Sequence, residues 1–130
     1  MELLLHLSEL SAEPLHAQIS RQVRAQILAE RIAGDDSLPS IRALAREHRV
    51  SVITVQRAYE DLEREGLLRS RPGKGFFVVE IPGGAKREIA VRRLEEALGR
   101  LVAAAEAEGL AGAQIRAVFE RVLRAKGSTR

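Results

Sequence analysis

Between residues 15 and 28 the apolar side chains Leu15, Ile19, Val23 and Ile27 recur every fourth residue, with Leu28 beside them. That period lays one apolar stripe along a helix. Pro14 suits the first helical position, where a missing N–H costs no intrahelical bond. Ala33-Gly34-Asp35-Asp36-Ser37 then breaks the pattern. Ser40 offers a cap to a short helix opening at Ile41, with Ile41, Leu44 and Ala45 inward and Arg42 and Arg46 directed elsewhere. Ser51 offers a second cap, to a helix from Val52 to about Glu65 whose inner face is Val55, Ala58, Tyr59 and Leu62. Gly66 stops it, being free to adopt left-handed geometry.

The period then changes. Leu67 to Ser70 and Phe76 to Val79 read as two short strands around the turn residues Arg71-Pro72-Gly73-Lys74-Gly75. Ile81-Pro82-Gly83-Gly84 reads as a linker. Beyond it Val91, Leu94, Leu98, Leu101 and Ala105 step by three and four, an a/d-like stripe. After Gly109, Ile115, Val118, Phe119, Val122 and Leu123 make a second apolar face, and Lys126 to Arg130 read as a frayed end. The expected fold is mainly α with a small β-wing. Its domains are a winged helix-turn-helix over 10–80, a linker over 81–85 and a helical hairpin over 86–126.

Composition narrows the class. The chain has 130 residues, no cysteine and only 3% aromatics, so disulfides and thiolate metal sites are excluded and the core is aliphatic. No apolar run is long enough to cross a bilayer. The opening MELLLHLSEL lacks the basic start and cleavage site of a signal peptide. A cytoplasmic protein without membrane partners is expected. Charge is unevenly spread. Residues 1–39 carry three Arg against six acids, and residues 40–79 carry eight Arg or Lys against five acids. Arg42, Arg46, Arg49 and Arg57 face only Glu47 before the acidic patch Glu60, Asp61, Glu63, Glu65. Such a concentration suits a phosphate-facing surface, although a solvated helix face has the same composition.

Other chemistry is poorly served. Gly73-Lys74-Gly75 lacks the GxxxxGK[ST] string of a phosphate loop. His6, His16 and His48 lack metal spacing. No nucleophile, base and acid can be nominated, so neither an enzyme nor a cofactor is expected.

The order helix, short helix, tight turn, helix, hairpin is instead the plan of a winged helix-turn-helix. The second helix of the pair would enter the major groove, and its N-terminal residues would reach base edges. The helix starts at Ser40 and Ser51 suit phosphate oxygens. Gly73 and Gly75 allow close backbone approach, with Arg71 and Lys74 supplying charge. The strings PLHAQISRQVRAQI, LPSIRALA, VSVITVQRAYEDLEREGLL and RPGKGFFV, over roughly residues 10–80, resemble the GntR family of bacterial regulators, specifically its short YtrA-like subfamily. The resemblance implies that Arg42 holds the phosphate backbone or a guanine edge. It also implies that Ser51 and Thr54 are the small hydroxyl positions of the recognition helix, and that Gly73 and Gly75 form the wing tip. It further implies control of a nearby operon, often one encoding an ABC transporter, with repression the expected direction. The chain departs from the family at Val52, where members often carry Arg, and at Arg49, where many carry Gly or Asn. A left-handed Arg49 would cost about 1 kcal/mol.

Helical geometry places Ile53, Gln56, Arg57 and Glu60 opposite the inner face. Ile53 either touches a thymine methyl, with Gln56 or Arg57 bonding a neighbouring base, or packs on a neighbouring side chain. The tail hairpin is too small to bury its own apolar faces. It either packs on the winged domain or pairs with a second copy through Val91, Leu94, Leu98, Leu101, Ile115, Phe119 and Val122, and pairing is favoured because symmetric operators need two recognition helices. The expected function is sequence-specific binding of double-stranded operator DNA as a homodimer, with any small-molecule effector unidentified. The alternative is a protein-interaction or architectural module without operator specificity.

Overall fold

The structure, a computed structural model, describes residues 3–128. Its elements run α1 (Leu15–Leu28), α2 (Ile41–His48), α3 (Val52–Arg64), β1 (Leu68–Arg71), β2 (Gly75–Val78), α4 (Gly83–Ala107) and α5 (Gly112–Ser128). The class is the expected one, mainly helical with a two-stranded antiparallel wing. Two compact units divide between Glu88 and Ile89.

In the first unit, Ile19, Val23 and Ile27 of α1 pack with Leu44 of α2 and with Val55, Ala58, Tyr59 and Leu62 of α3, all fully buried or nearly so. Leu67, Leu68 and Val78 close this core from the wing side. Burying each such side chain contributes on the order of 1.5–3 kcal/mol, so the apolar stripes hold the three helices together. Pro14 sits one residue before the helix as its cap, with an extended ψ of 148°, rather than at the first helical position.

The first three helices terminate alike, with two backbone bonds wrapping the last turn around a left-handed residue. In α1 these are Glu30 N–H to Ile27 O and Arg31 N–H to Gln26 O, at 3.1 and 2.8 Å. In α2 Val50 N–H reaches Ala45 O at 3.0 Å, and in α3 Leu67 N–H reaches Leu62 O at 3.0 Å. The left-handed residues are Glu30, Arg49 and Gly66, with φ of 62°, 55° and 82°. Only the third is a glycine. Arg49 is thus the left-handed residue of the inter-helix turn.

Two further segments join this unit. Residues 3–8 run extended beside α1, with Leu5 buried and Leu3 and Leu7 packed on the core. Gln18, Gln22 and Gln26, one helical turn apart, each bond both the N–H and the C=O of one residue in that segment. Gln26 serves Leu4 (3.2 and 2.7 Å), Gln22 serves His6 (2.7 and 2.8 Å), and Gln18 serves Ser8 (2.9 and 2.9 Å). Four helical residues advance about 6 Å and two strand residues about 6.6 Å, so the two ladders stay in step.

The second segment, residues 35–38, lines β2. Leu38 N–H donates to Phe76 O at 2.9 Å, Asp35 N–H to Val78 O at 2.8 Å, and Val78 N–H to Asp36 O at 2.9 Å. A Cβ on Gly34 would stand 2.8 Å from the Glu80 Cα, so this approach requires glycine. The stretch read as a plain helix break is therefore also a third rung of the wing.

The strands lie one residue from their expected ends, with Leu68 opposite Val78 and Arg71 opposite Gly75. Lys74 N–H closes the turn onto Arg71 O at 2.9 Å. Pro72 and Gly73, the latter at φ 73°, are its central residues, the pattern of a type II turn.

The helix α4 begins at Gly83, inside the stretch expected as linker, and its first turn belongs to the winged unit. Lys86 is buried there with its Nζ 3.7 Å from Glu30 Oε1. From Ile89 onward no described residue is buried. Gly109, at φ 93°, turns the chain between α4 and α5, and Gln114 Oε1 accepts the Ala111 N–H at 2.8 Å to cap the second helix. The helix α5 continues to Ser128, past the expected start of fraying, and residues 129 and 130 lie outside the described residues.

Candidate nucleic-acid interface

The helix pair α2–α3 presents the expected front. Both serine caps form: Ser40 Oγ accepts the Ala43 N–H and Ser51 Oγ accepts the Thr54 N–H, each at 3.0 Å. Tyr59 is fully buried, and its hydroxyl donates to the Pro39 carbonyl at 2.8 Å. Its ring meets Phe76 edge-on at 5.2 Å. One side chain of α3 therefore fixes both the entry to α2 and the root of the wing. Burial pushes its phenol well above the ordinary tyrosine value.

With Val55, Ala58, Tyr59 and Leu62 inward, the outer face of α3 carries Val52, Ile53, Gln56, Arg57 and Glu60, all exposed. Ile53 is 76% exposed and Val52 44% exposed. Ile53 therefore lies outside the core, with most of its surface open to solvent. The guanidiniums of Arg42, Arg46, Arg49 and Arg57 are exposed and make no hydrogen bond or ion pair among the described residues. Elsewhere in the unit Arg21 pairs with Glu13 at 3.0 Å, Arg24 with Glu65 at 2.6 Å and Arg64 with Asp61, whereas Arg31, Arg69 and Arg87 are exposed without a partner among the described residues. The Arg21 hydrogen bond holds the Glu13 carboxyl below the usual carboxylate range. The face beside α3 is thus cationic and uncommitted, as a phosphate-binding surface requires.

Some candidate contacts are committed internally. Ser51 Oγ and Thr54 Oγ1 lie 2.8 Å apart in a mutual hydrogen bond. Gln56 Nε2 donates to Glu60 Oε2 at 3.3 Å. Arg71 stacks over the Phe77 ring at 4.4 Å and lies 3.6 Å from Asp35 Oδ1, so its charge is held on the wing. Gly73, Lys74 and Gly75 are exposed at the wing tip, and the Lys74 ammonium has no partner among the described residues. Arg46 and Arg49 belong with the candidate residues. The arginine cluster in the sequence already marked them.

In the second unit Leu98, Leu101, Val102, Leu110, Ile115 and Phe119 are among the residues lining a cleft of about 360 Å³ with almost no polar wall. Leu98 and Ile115 are half-buried, whereas Val91, Leu94, Leu101, Phe119 and Val122 remain exposed. Among the described residues no group of acids and histidines is placed to hold a metal ion. No helix there is long and apolar enough to cross a membrane.

A helix pair with a capped, base-accessible second helix, a cationic flank and a hairpin beside it defines a winged-helix regulator of the DNA-binding class. The family profile described as "Bacterial regulatory proteins, gntR family" matches residues 15–78. The HTH-type transcriptional repressor YtrA of Bacillus subtilis is 31% identical over 100 residues, 77% of each chain. The chain belongs to the GntR family and, within it, groups with the YtrA-like members. The HTH-type transcriptional regulator YhcF of the same organism is 35% identical over 70 residues, 54% of this chain and 58% of YhcF. The alignments thus span little more than half of YhcF, and smaller shares of several longer relatives. A solved GntR-family regulator from Listeria monocytogenes shares the fold, with a TM-score of 0.67 and 22% identity over 88% of this chain and 98% of the other. The family comprises transcription regulators, not enzymes.

Proposed function

We propose that this chain is a cytoplasmic repressor that binds a palindromic operator as a homodimer. The carrying observation is the outer face of α3, where Ile53 and Arg57 stand exposed beside the free guanidiniums of Arg42, Arg46 and Arg49. The first turn of such a helix meets base edges, while the cations and the wing tip at Gly73, Lys74 and Gly75 meet phosphates. Neutralising about six to ten phosphates per dimer makes affinity fall steeply with salt.

The tail supports the pairing. Leu98, Leu101, Ile115, Phe119 and Val122 surround or adjoin an apolar cleft that neither α4 nor α5 fills. A second copy, docking the same surface, would bury it and set two recognition helices roughly 34 Å apart. The repressor role follows the resemblance to YtrA, and the effector stays open. Gel shifts on the DNA upstream of its own gene test the reading. A regulator resists displacement by excess unrelated duplex, whereas equal displacement by both duplexes points to an architectural module.

A further inference from the structure

We propose that specificity in this chain is set by the methyl groups of thymines, read by Ile53 with Val52 beside it. The inference deepens the operator-binding reading and rests on it. Polar readers are scarce at the front of α3. The Ser51 and Thr54 hydroxyls are bonded to each other at 2.8 Å, and Ser51 Oγ also accepts the Thr54 N–H at 3.0 Å. One turn further on, the Gln56 amide is drawn to Glu60 at 3.3 Å. What the first turn offers freely is hydrocarbon: Ile53 at 76% exposure and Val52 at 44%.

Both side chains are β-branched and stiff about χ1, so little freedom is lost when they are pressed against a surface. Neither contributes to the core, and exposing them to water is unfavourable. The flanking cations Arg42, Arg46 and Arg57 and the wing's Lys74 carry no partner among the described residues. That charge selects a polyanion as the occupant over an apolar protein surface. Within the major groove one base edge alone matches an apolar reader, the C5-methyl of thymine. Helical geometry sets the two side chains about 100° apart, Ile53 central on the outer face and Val52 at its margin. They therefore meet different base pairs, and Arg57, next to Ile53 on that face, is left for a hydrogen-bonding neighbour.

The test uses the full chain and a duplex it binds selectively, with each thymine replaced singly by deoxyuridine, which deletes only the methyl. Wild-type protein is expected to lose about fourfold in affinity at each of two thymines of each half-site, the worth of one buried carbon. Ile53→Ala should abolish that loss at one of them, and Val52→Ala at another. Both variants should keep the wild-type melting temperature, since neither residue is buried. Indifference of the wild type to every deoxyuridine, in a duplex still bound selectively, overturns the proposal and leaves the regulator reading intact. Unchanged deoxyuridine sensitivity in both variants also overturns it. Failure to find any selectively bound duplex overturns the regulator reading, and this proposal with it.

Discussion

The Tyr59 hydroxyl donates to the Pro39 carbonyl at 2.8 Å, across twenty residues of chain. This bond joins the buried face of α3 to the residue before the Ser40 cap of α2. The position of the recognition helix relative to its partner therefore depends on a core tyrosine rather than on a surface contact.

Replacing Tyr59 by Phe should cost about 1 kcal/mol, the net worth of one hydrogen bond, read from chemical denaturation. The phenol also carries a pH signature. Its folded-state value is raised by burial, so the stability it confers is complete below about pH 10 and declines as pH rises above that. Tyr59→Phe should flatten that alkaline decline. An unchanged slope would show that other groups control it.

Arg49 occupies left-handed backbone at φ 55° in the inter-helix turn. Arg49→Gly should raise stability by about 0.5 kcal/mol, relief of the steric cost being partly offset by the greater freedom of glycine in the unfolded chain. Arg49→Ala keeps a Cβ in the same conformation and should bring no such gain. Equal effects of the two substitutions in thermal melts would place the strain elsewhere.

The glutamine ladder predicts a graded series. Gln18 is buried and bonds Ser8 twice and the Glu13 carbonyl once. Gln18→Ala should cost about 1–3 kcal/mol through the unsatisfied groups it leaves. Gln22→Ala, at an exposed rung, should cost less than 1 kcal/mol while still speeding amide exchange at His6. Identical costs at the two positions would argue that the segment is held by Leu5 alone.

A charge in the apolar cleft of the second unit tests the pairing of copies. Leu101, 65% exposed, and Phe119, 42% exposed, line that cleft. Either Leu101→Glu or Phe119→Glu should convert a dimer into a monomer in sedimentation at micromolar concentration. The winged unit should keep its melting transition, because its core lies wholly before Glu80. Wild-type protein that sediments as a monomer would remove the dimer.

The helices and hairpin were legible in the sequence because their signals are local. Period-four apolar spacing marked α1, Ser40 and Ser51 marked two helix starts, and Gly66 marked a stop. The extended segment at residues 3–8 escaped notice because its backbone partners are glutamine side chains 10, 16 and 22 residues away. Its signal was the alternation of Leu3, Leu5 and Leu7 beside glutamines spaced by four. Residues 33–37 were read as a break because Gly34, Asp35 and Asp36 disguise a short rung over 35–38 whose partner, β2, lies some forty residues on. At the candidate site, periodicity placed Ile53 outward. It could not reveal that Arg71 is held by Phe77 and Asp35, or that the Ser51 and Thr54 hydroxyls bond each other, since both depend on side-chain conformation.

The account stands on the front end of α3 being received by DNA of a defined sequence. Selection of duplexes from a random pool by the full-length chain, followed by sequencing, measures this directly. The account predicts enrichment of an inverted repeat whose half-sites lie one helical turn apart. A pool that is retained but stays random in sequence would contradict it.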